Sequence, residues 1–159
     1  MELLRLIAFD KDDIEVVSTH LQDALVHVRD IHWQPALKRL VVGCDRFCWE
    51  ATQGPNPDYQ RRSTALRFDR VLNFKCRGID AADKDRTLNL LAVEFDENDP
   101  PAGVITFIFS GGAALRLEIE CLECELADLG PCWPTKVCPG HLDEPAPPTP
   151  PDASKSLQG

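Results

Sequence analysis

The chain of 159 residues has no apolar run of the roughly eighteen residues that a membrane-spanning helix needs. Its opening, Met1-Glu2-Leu3-Leu4-Arg5, has an acid and an early arginine but no long apolar stretch ending in a small-residue cleavage site, so no secretory signal is read there. A cytosolic (cytoplasmic) protein is expected. Positive charge is scarce: 17 Lys and Arg against 26 Asp and Glu give a formal net charge of −9. Nucleic-acid binding draws most of its affinity from neutralised phosphates, so no nucleic-acid partner is expected. Seven cysteines are an odd number for a chain without an export signal, which argues against a disulfide framework and for small buried hydrophobes. There is no glycine-rich phosphate loop, because Gly111-Gly112 lacks both the G-x-G spacing and a following Lys-Ser/Thr. His20, His27, His32 and His141 are scattered and assemble no acid–histidine–nucleophile set. His20 and Asp23, three apart on one expected helix, read as a solvated pair. No catalytic residue and no cofactor are therefore expected.

A train of short apolar segments separated by turn-like breaks runs from Leu25 to Ile119. Before it, Leu3 to Phe9 suits a first strand. Ile14, Val17, Leu21 and Ala24 then step at helical spacing, with Asp12 and Glu15 at capping-box spacing. Val26 and Val28 alternate, and Ile31 and Trp33 continue out of phase, predicting a bulge near Asp30. Leu40 to Glu50 is the next run, and 52–58 reads as loop by composition. In Thr64 to Arg77, Leu66, Phe68, Leu72, Phe74 and Cys76 share one parity while Arg67, Lys75 and Arg77 share the other: a half-buried strand. Thr87 to Phe95 is apolar on both parities and is expected to be covered on both faces. Val104 to Phe109 follows, then Gly111-Gly112 as a tight hairpin requiring positive φ at both positions. Leu115, Leu117 and Ile119 alternate as a strand, and Leu122, Leu126 and Leu129 then predict a helix from about Glu120, stopped by Gly130-Pro131.

Three side-chain groups are candidates for chemistry. Cys121-x-x-Cys124, continued through Cys132, Cys138 and His141, offers soft ligands, but its spacings match no common zinc module, and no metal site is assigned. Cys44 and Cys48 read as two packed thiols. Phe47, Trp49 and Trp133 suit core anchoring better than a ligand pocket. The remaining group is the one local basic cluster: Arg61, Arg62, Arg67, Arg70, Lys75 and Arg77. Of these, Arg67, Lys75 and Arg77 share the outward face of one strand and are the expected ligand-binding residues, for an anionic ligand or an acidic protein partner.

The expected fold is α+β: a seven-stranded antiparallel, barrel-like sheet with an early helix and a C-terminal capping helix. Seven strands closed by such a helix resemble the pleckstrin-homology-like barrel, from which the early helix departs. Closer in sequence, several motifs resemble a small bacterial family of unknown function. They are Phe47-x-Trp49-Glu50, Leu66-x-Phe68-x-x-Val71 leading to Arg77-Gly78-Ile79-Asp80, Gly111-Gly112, Ile119-Glu120-Cys121, and Leu126-x-Asp128-Leu129-Gly130-Pro131-x-Trp133. The resemblance spans roughly residues 3 to 133 and implies one compact domain in a bacterial cytosol, with no catalytic residue carried over. The function expected is a non-enzymatic binding or adaptor module. The alternatives are a Cys/His zinc protein or enzyme, and an oligomeric structural protein.

A single globular domain over 1–133 and a Pro-rich disordered tail over 134–159 are expected. Pro145, Pro147, Pro148, Pro150 and Pro151 sit among Ala, Ser and Asp and leave little to bury. Asp143, Glu144 and Asp152 against Lys155 account for two units of the negative charge, leaving the rest at about −7 (−9 less −2). Ordering this tail would cost roughly 1–2 kcal/mol per residue with almost no apolar burial to offset it. Truncation after Pro139 should therefore leave the thermal midpoint nearly unchanged in differential scanning calorimetry. A large drop would mean that the tail docks on the body.

Overall fold

The structure, a computed structural model, describes residues 3–52 and 59–135. Its elements are β1 (Arg5–Ala8), α1 (Lys11–His20), β2 (Ala24–Gln34), β3 (Arg39–Phe47), β4 (Gln60–Arg77), β5 (Thr87–Asp99), β6 (Ala102–Phe109) and β7 (Ala114–Pro134). Short 3₁₀ turns lie at Pro35–Leu37, Trp49–Thr52 and Ser110–Gly112. The strands join in the order β1-β7-β4-β3-β2-β5-β6, all antiparallel, and β6 also pairs with β7, which closes the ladder on itself. The expected tail lies, beyond Thr135, outside the described residues, as do 53–58 of the expected loop.

The expected α+β class with two helices is overturned. Among the described residues α1 is the only α-helix, and the segment read as a C-terminal capping helix is the second half of β7. Without that helix the pleckstrin-homology-like assignment falls as well. Leu122 and Leu126 fit both a helical step of four and a strand step of two, since Cys124 between them is also buried. The local sequence offers both periods. Long-range pairing decides, because β4 takes one edge of this segment and β1 the other, so that Cys124 faces both Phe68 and Ala8. Leu129, the third member of the supposed helical stripe, is 62% exposed.

The helix start also shifts. Asp10, not Asp12, is the N-cap and accepts from the Asp13 amide at 2.8 Å, while Asp13 accepts from the Phe9 amide at 2.9 Å. This resembles a capping box, except that the return bond from Asp13 in the third helical position reaches the amide one residue before the cap. Ile14, Val17 and Leu21 point into the core, and the helix packs against β1 and β5. There the Ser18 hydroxyl accepts from the Val93 amide at 2.9 Å, so α1 takes over as the neighbour of β5 where β2 leaves it.

Phase changes explain where the simple alternation breaks. The register of β2 on β3 shifts between Val26 and Ile31, the expected bulge. In β5 the shift between Leu90 and Ala92 moves the inward set from Leu88 and Leu90 to Val93 and Phe95. Apolarity on both parities there marks a change of phase, not a strand buried on both faces. In β4, Arg70 takes a left-handed conformation (φ 61°), and the register on β7 shifts on both sides of Val71. Val71 consequently turns inward, Leu72 is 49% exposed, and Cys76 is exposed, which corrects the single-parity reading of Thr64–Arg77. Gly111 and Gly112 do adopt positive φ, 76° and 83°.

One core fills the closed ladder, with Phe68 and Phe107 edge-to-face at 5.8 Å and Leu66, Ile105, Leu115, Leu117 and Leu126 around them. Gly103 permits the closest approach in this wall: a Cβ there would lie 2.5 Å from the Asp96 carbonyl oxygen and 2.6 Å from the Phe95 ring. Gly130 faces open space. Replacing Gly103 by Ala should cost about 1–3 kcal/mol, the usual penalty of overpacking, whereas Gly130→Ala should fall within about 0.5 kcal/mol of zero. Urea denaturation of both variants checks the difference.

Candidate functional site

The outward face of the sheet carries the charges, arranged in two zones along β4. In the first zone, β1, β7, β4 and β3 bring opposite charges into register. Arg67 faces Glu125 across the ladder and binds it at 2.8 Å, while also reaching Asp69 at 3.1 Å. Asp69 in turn accepts from Arg39 at 2.7 Å, Glu125 pairs with Arg5, and Arg70 lies 3.6 Å from Glu123. Arg67 and Arg70 of β4, with Arg39 of β3 and Arg5 of β1, thus form a lattice in which each of these four cations has a carboxylate.

In the second zone, beyond the bend at Arg70, the pattern changes. Lys75 stands directly opposite Arg116, and Arg77 opposite Ala114. All three cations are exposed, and no ion pair is found for them among the described residues. Like charges directly opposite each other in a ladder are destabilising, so this placement costs the fold some stability. The structure therefore keeps Lys75 and Arg77 together, adds Arg116 to them, and leaves Arg67 apart. Eight residues, up to roughly 26 Å of extended strand, separate Arg67 from Lys75. Alternation marks Arg116 as outward between Leu115 and Leu117, but its proximity to Lys75 depends on the β4–β7 register, which the sequence does not display.

The other members of the basic cluster serve the fold. Arg61 lies over the Phe47 ring at 5.7 Å and donates to the carbonyls of Asp23 and Asp45. Burial lowers its pKa despite those acids. Arg62 turns inward to within 3.5 Å of Asp128.

Asp128 is the centre of a buried ionic cluster. Arg46 grips it with two hydrogen bonds of 2.8 and 2.9 Å, Thr64 donates at 2.8 Å, and the Leu4 amide donates at 2.7 Å. On its other side Arg46 makes two bonds to Glu50, at 3.1 and 2.8 Å. Burial would raise the Asp128 carboxyl, but the bonds from Arg46, Leu4 and Thr64 outweigh it and hold the pKa below its ordinary value. Glu50 is lowered by the same balance. His20 is lowered first by burial and then by Arg46, which disfavours its charged form beside the cluster.

The sulfur and histidine candidates separate. Cys124 points inward and is 4% exposed, while Cys121, at odd spacing on the same strand, lies on the outer face. They cannot share a metal. Cys138 and His141 lie outside the described residues, and no group of three metal-capable side chains is found among the described ones. Burial pushes the Cys44 thiol up to about 12 and the Cys124 thiol higher still, so neither is a nucleophile at neutral pH.

His27 bridges the Thr87 hydroxyl (3.0 Å) and Asp45 (3.2 Å) in a row across three strands. That order matches a hydroxyl–base–acid relay, and its Asp45 lines a groove together with Asp30, His32 and Ser63. A groove of about 740 Å³ between α1 and β5 is lined by Glu15, Glu94 and Asp96 against a single Lys11 and does not suit an anion. Phe47 is buried against Trp49 at 4.6 Å, and the Trp49 indole donates to the Gln22 carbonyl, both anchoring roles. Trp133 is 39% exposed at the end of β7.

A family described as "Protein of unknown function (DUF2948)" matches residues 4–141. The chain belongs to that family. The resemblance read from the motifs between Phe47 and Trp133 is thereby borne out as membership of a family of unknown function. No curated protein and no solved structure matches the chain.

The ionic cluster gives an acid dependence whose sign is fixed. Because the Asp128 carboxyl titrates lower in the folded than in the unfolded chain, the unfolded state takes up the proton first. Its stabilisation is present near neutrality and is lost as pH falls below about 4. Asp128→Asn should flatten that acid limb. It should also cost about 3–5 kcal/mol at neutral pH, since Arg46 is left without one of its two carboxylates. Urea titrations of both proteins across acid pH are the measurement; an unchanged acid limb would place the proton linkage elsewhere.

Proposed function

We propose that this chain is a non-enzymatic binding module whose β4–β7 outer surface receives an anionic ligand or an acidic protein partner. The observation that carries the reading is the pairing of Lys75 with Arg116, beside Arg77, in a chain of net charge −9. Like charges gathered in register, without a carboxylate partner among the described residues, are relieved by an external anion. Arg67 belongs to the same strand face but is engaged by Asp69 and Glu125, so it contributes less than Lys75 and Arg77. The module is taken to comprise the body of the chain, 1–133, with the Pro-rich segment as an appended tail in a bacterial cytosolic protein. No helix among the described residues is long and apolar enough to cross a membrane.

The reading is tested with poly-L-glutamate as an acidic probe. The wild-type chain should bind it at low ionic strength and release it as salt rises, because charges are screened within about 8 Å at physiological ionic strength. K75E/R77E/R116E should abolish binding while keeping its thermal midpoint, and R67E should weaken it only modestly. A folded triple variant that binds as well as the wild type would place the site elsewhere.

A further inference from the structure

We propose that the free edge of β4, from Asn73 to Arg77, takes an extended acidic polypeptide segment as an additional antiparallel strand. This rests on the basic-surface reading above and names the partner for it: a segment alternating acidic and apolar residues.

The edge is created by the bend at Arg70. Up to Phe68, β4 has β3 on one side and β7 on the other. The left-handed Arg70 turns the strand away, and the last tie to the β3 side is the Val71 amide donating to the Lys38 carbonyl at 2.9 Å. From Asn73 to Arg77 the strand pairs with β7 alone, and among the described residues nothing pairs with its other side. Such an edge presents alternating N–H and C=O groups ready to accept a strand.

The side chains along it select what can be added. On the outer face stand Lys75 and Arg77, with Arg116 behind Lys75. On the opposite face Phe74 meets Trp33 edge-to-face at 5.4 Å, both only half buried, and Leu72 is 49% exposed. An added strand points successive residues to opposite faces. It therefore sets every second side chain beside the cations and the ones between beside Phe74 and Leu72. Glu or Asp alternating with an apolar residue satisfies both. A second copy of this edge does not: antiparallel pairing centred on Lys75 sets that lysine against itself, a like-charge contact that disfavours the match.

The probe is a capped heptapeptide, Thr-Glu-Val-Glu-Val-Glu-Thr, with two versions N-methylated at alternate residues, one for each parity. In amide hydrogen exchange followed by NMR, the unmodified peptide should slow exchange at alternate residues between Asn73 and Arg77. Only one parity of a strand faces the edge. One methylated peptide should therefore bind about tenfold more weakly, a loss of one or two hydrogen bonds, and the other should bind as well as the parent. K75E/R77E should weaken the parent by at least about tenfold, a change of about 1.4 kcal/mol. Equal behaviour of the two methylated peptides, or binding without protection of these amides, overturns the added strand even if poly-L-glutamate still binds. Failure of poly-L-glutamate as well removes the basic-surface reading itself. Concentration-dependent protection of the edge without peptide would make the occupant a second copy and also overturn the proposal.

Discussion

Arg46 and Asp128 form the contact on which the rest of the arrangement depends. Both lie on inward positions of long strands, β3 and β7, where the neighbouring inward residues are Cys44, Cys124 and Leu126. A lone charge in that setting is prohibitive, and even a matched pair repays its desolvation only when the geometry is bidentate and the remaining sites are filled. Here they are filled. Glu50 takes the far side of the guanidinium, Thr64 a second position on the carboxylate, and the Leu4 amide a third. The cluster thereby ties four separate parts of the chain: the N-terminal segment, β3 with the turn after it, β4 and β7. The Asp128 amide, donating to the Leu4 carbonyl, completes a two-way clip that continues the β1–β7 ladder by one more rung.

From that clip the long β4–β7 ladder follows. Held at one end by Asp128 and Thr64, the two strands run together for most of their length, and the strain of wrapping a closed sheet is taken up at Arg70 and Val71. Up to the bend β4 is an interior strand, and its Arg62, Arg67 and Arg70 are matched by acids on β7. After it, the strand has lost β3, and its cations meet only Arg116. The bend therefore converts one continuous strand from scaffold into an exposed edge. Exposed edges are commonly guarded by charged side chains, lysine above all, and Lys75 serves that purpose against self-pairing. In the proposed reading the same charge that repels a copy attracts an acid, so that protection and recognition share one residue.

How much of this the sequence displays depends on whether a feature is local. Alternation at Leu66 and Phe68, through Val104–Phe109 and at Leu115–Ile119 reflects one-sided burial, and each of these segments is a strand. The error at Glu120–Leu129 has an equally local origin. Leu122, Cys124 and Leu126 carry period two, while Leu122, Leu126 and Leu129 carry a helical period. The choice between them rests on β1 and β4, both far away in sequence. Arg46 and Asp128 were legible only in part: each falls on the inward parity of its strand, and two inward charges of opposite sign invite pairing. With 120–129 read as helix, however, Asp128 had no strand face to occupy. The bend at Arg70 left no trace, since arginine in a left-handed conformation has none of the signal that a glycine would give.

The distribution of charge also bears on the kind of function the chain supports. Groups capable of acid–base chemistry are either locked or spread out. Asp128 and Glu50 are bound into the Arg46 cluster, His20 is held neutral by burial and by Arg46, and Cys44 and Cys124 are deep in the core. His27 has its hydroxyl and its carboxylate in a row across three strands, at the surface and apart from the other titratable groups. Against this background Lys75, Arg77 and Arg116 differ in being charged, adjacent and uncommitted among the described residues. Their cost to the folded chain is a like-charge contact with no ion pair to relieve it among the described residues. That exception sets the second zone of β4 apart from the first, where Arg67 and Arg70 each meet a carboxylate of β7.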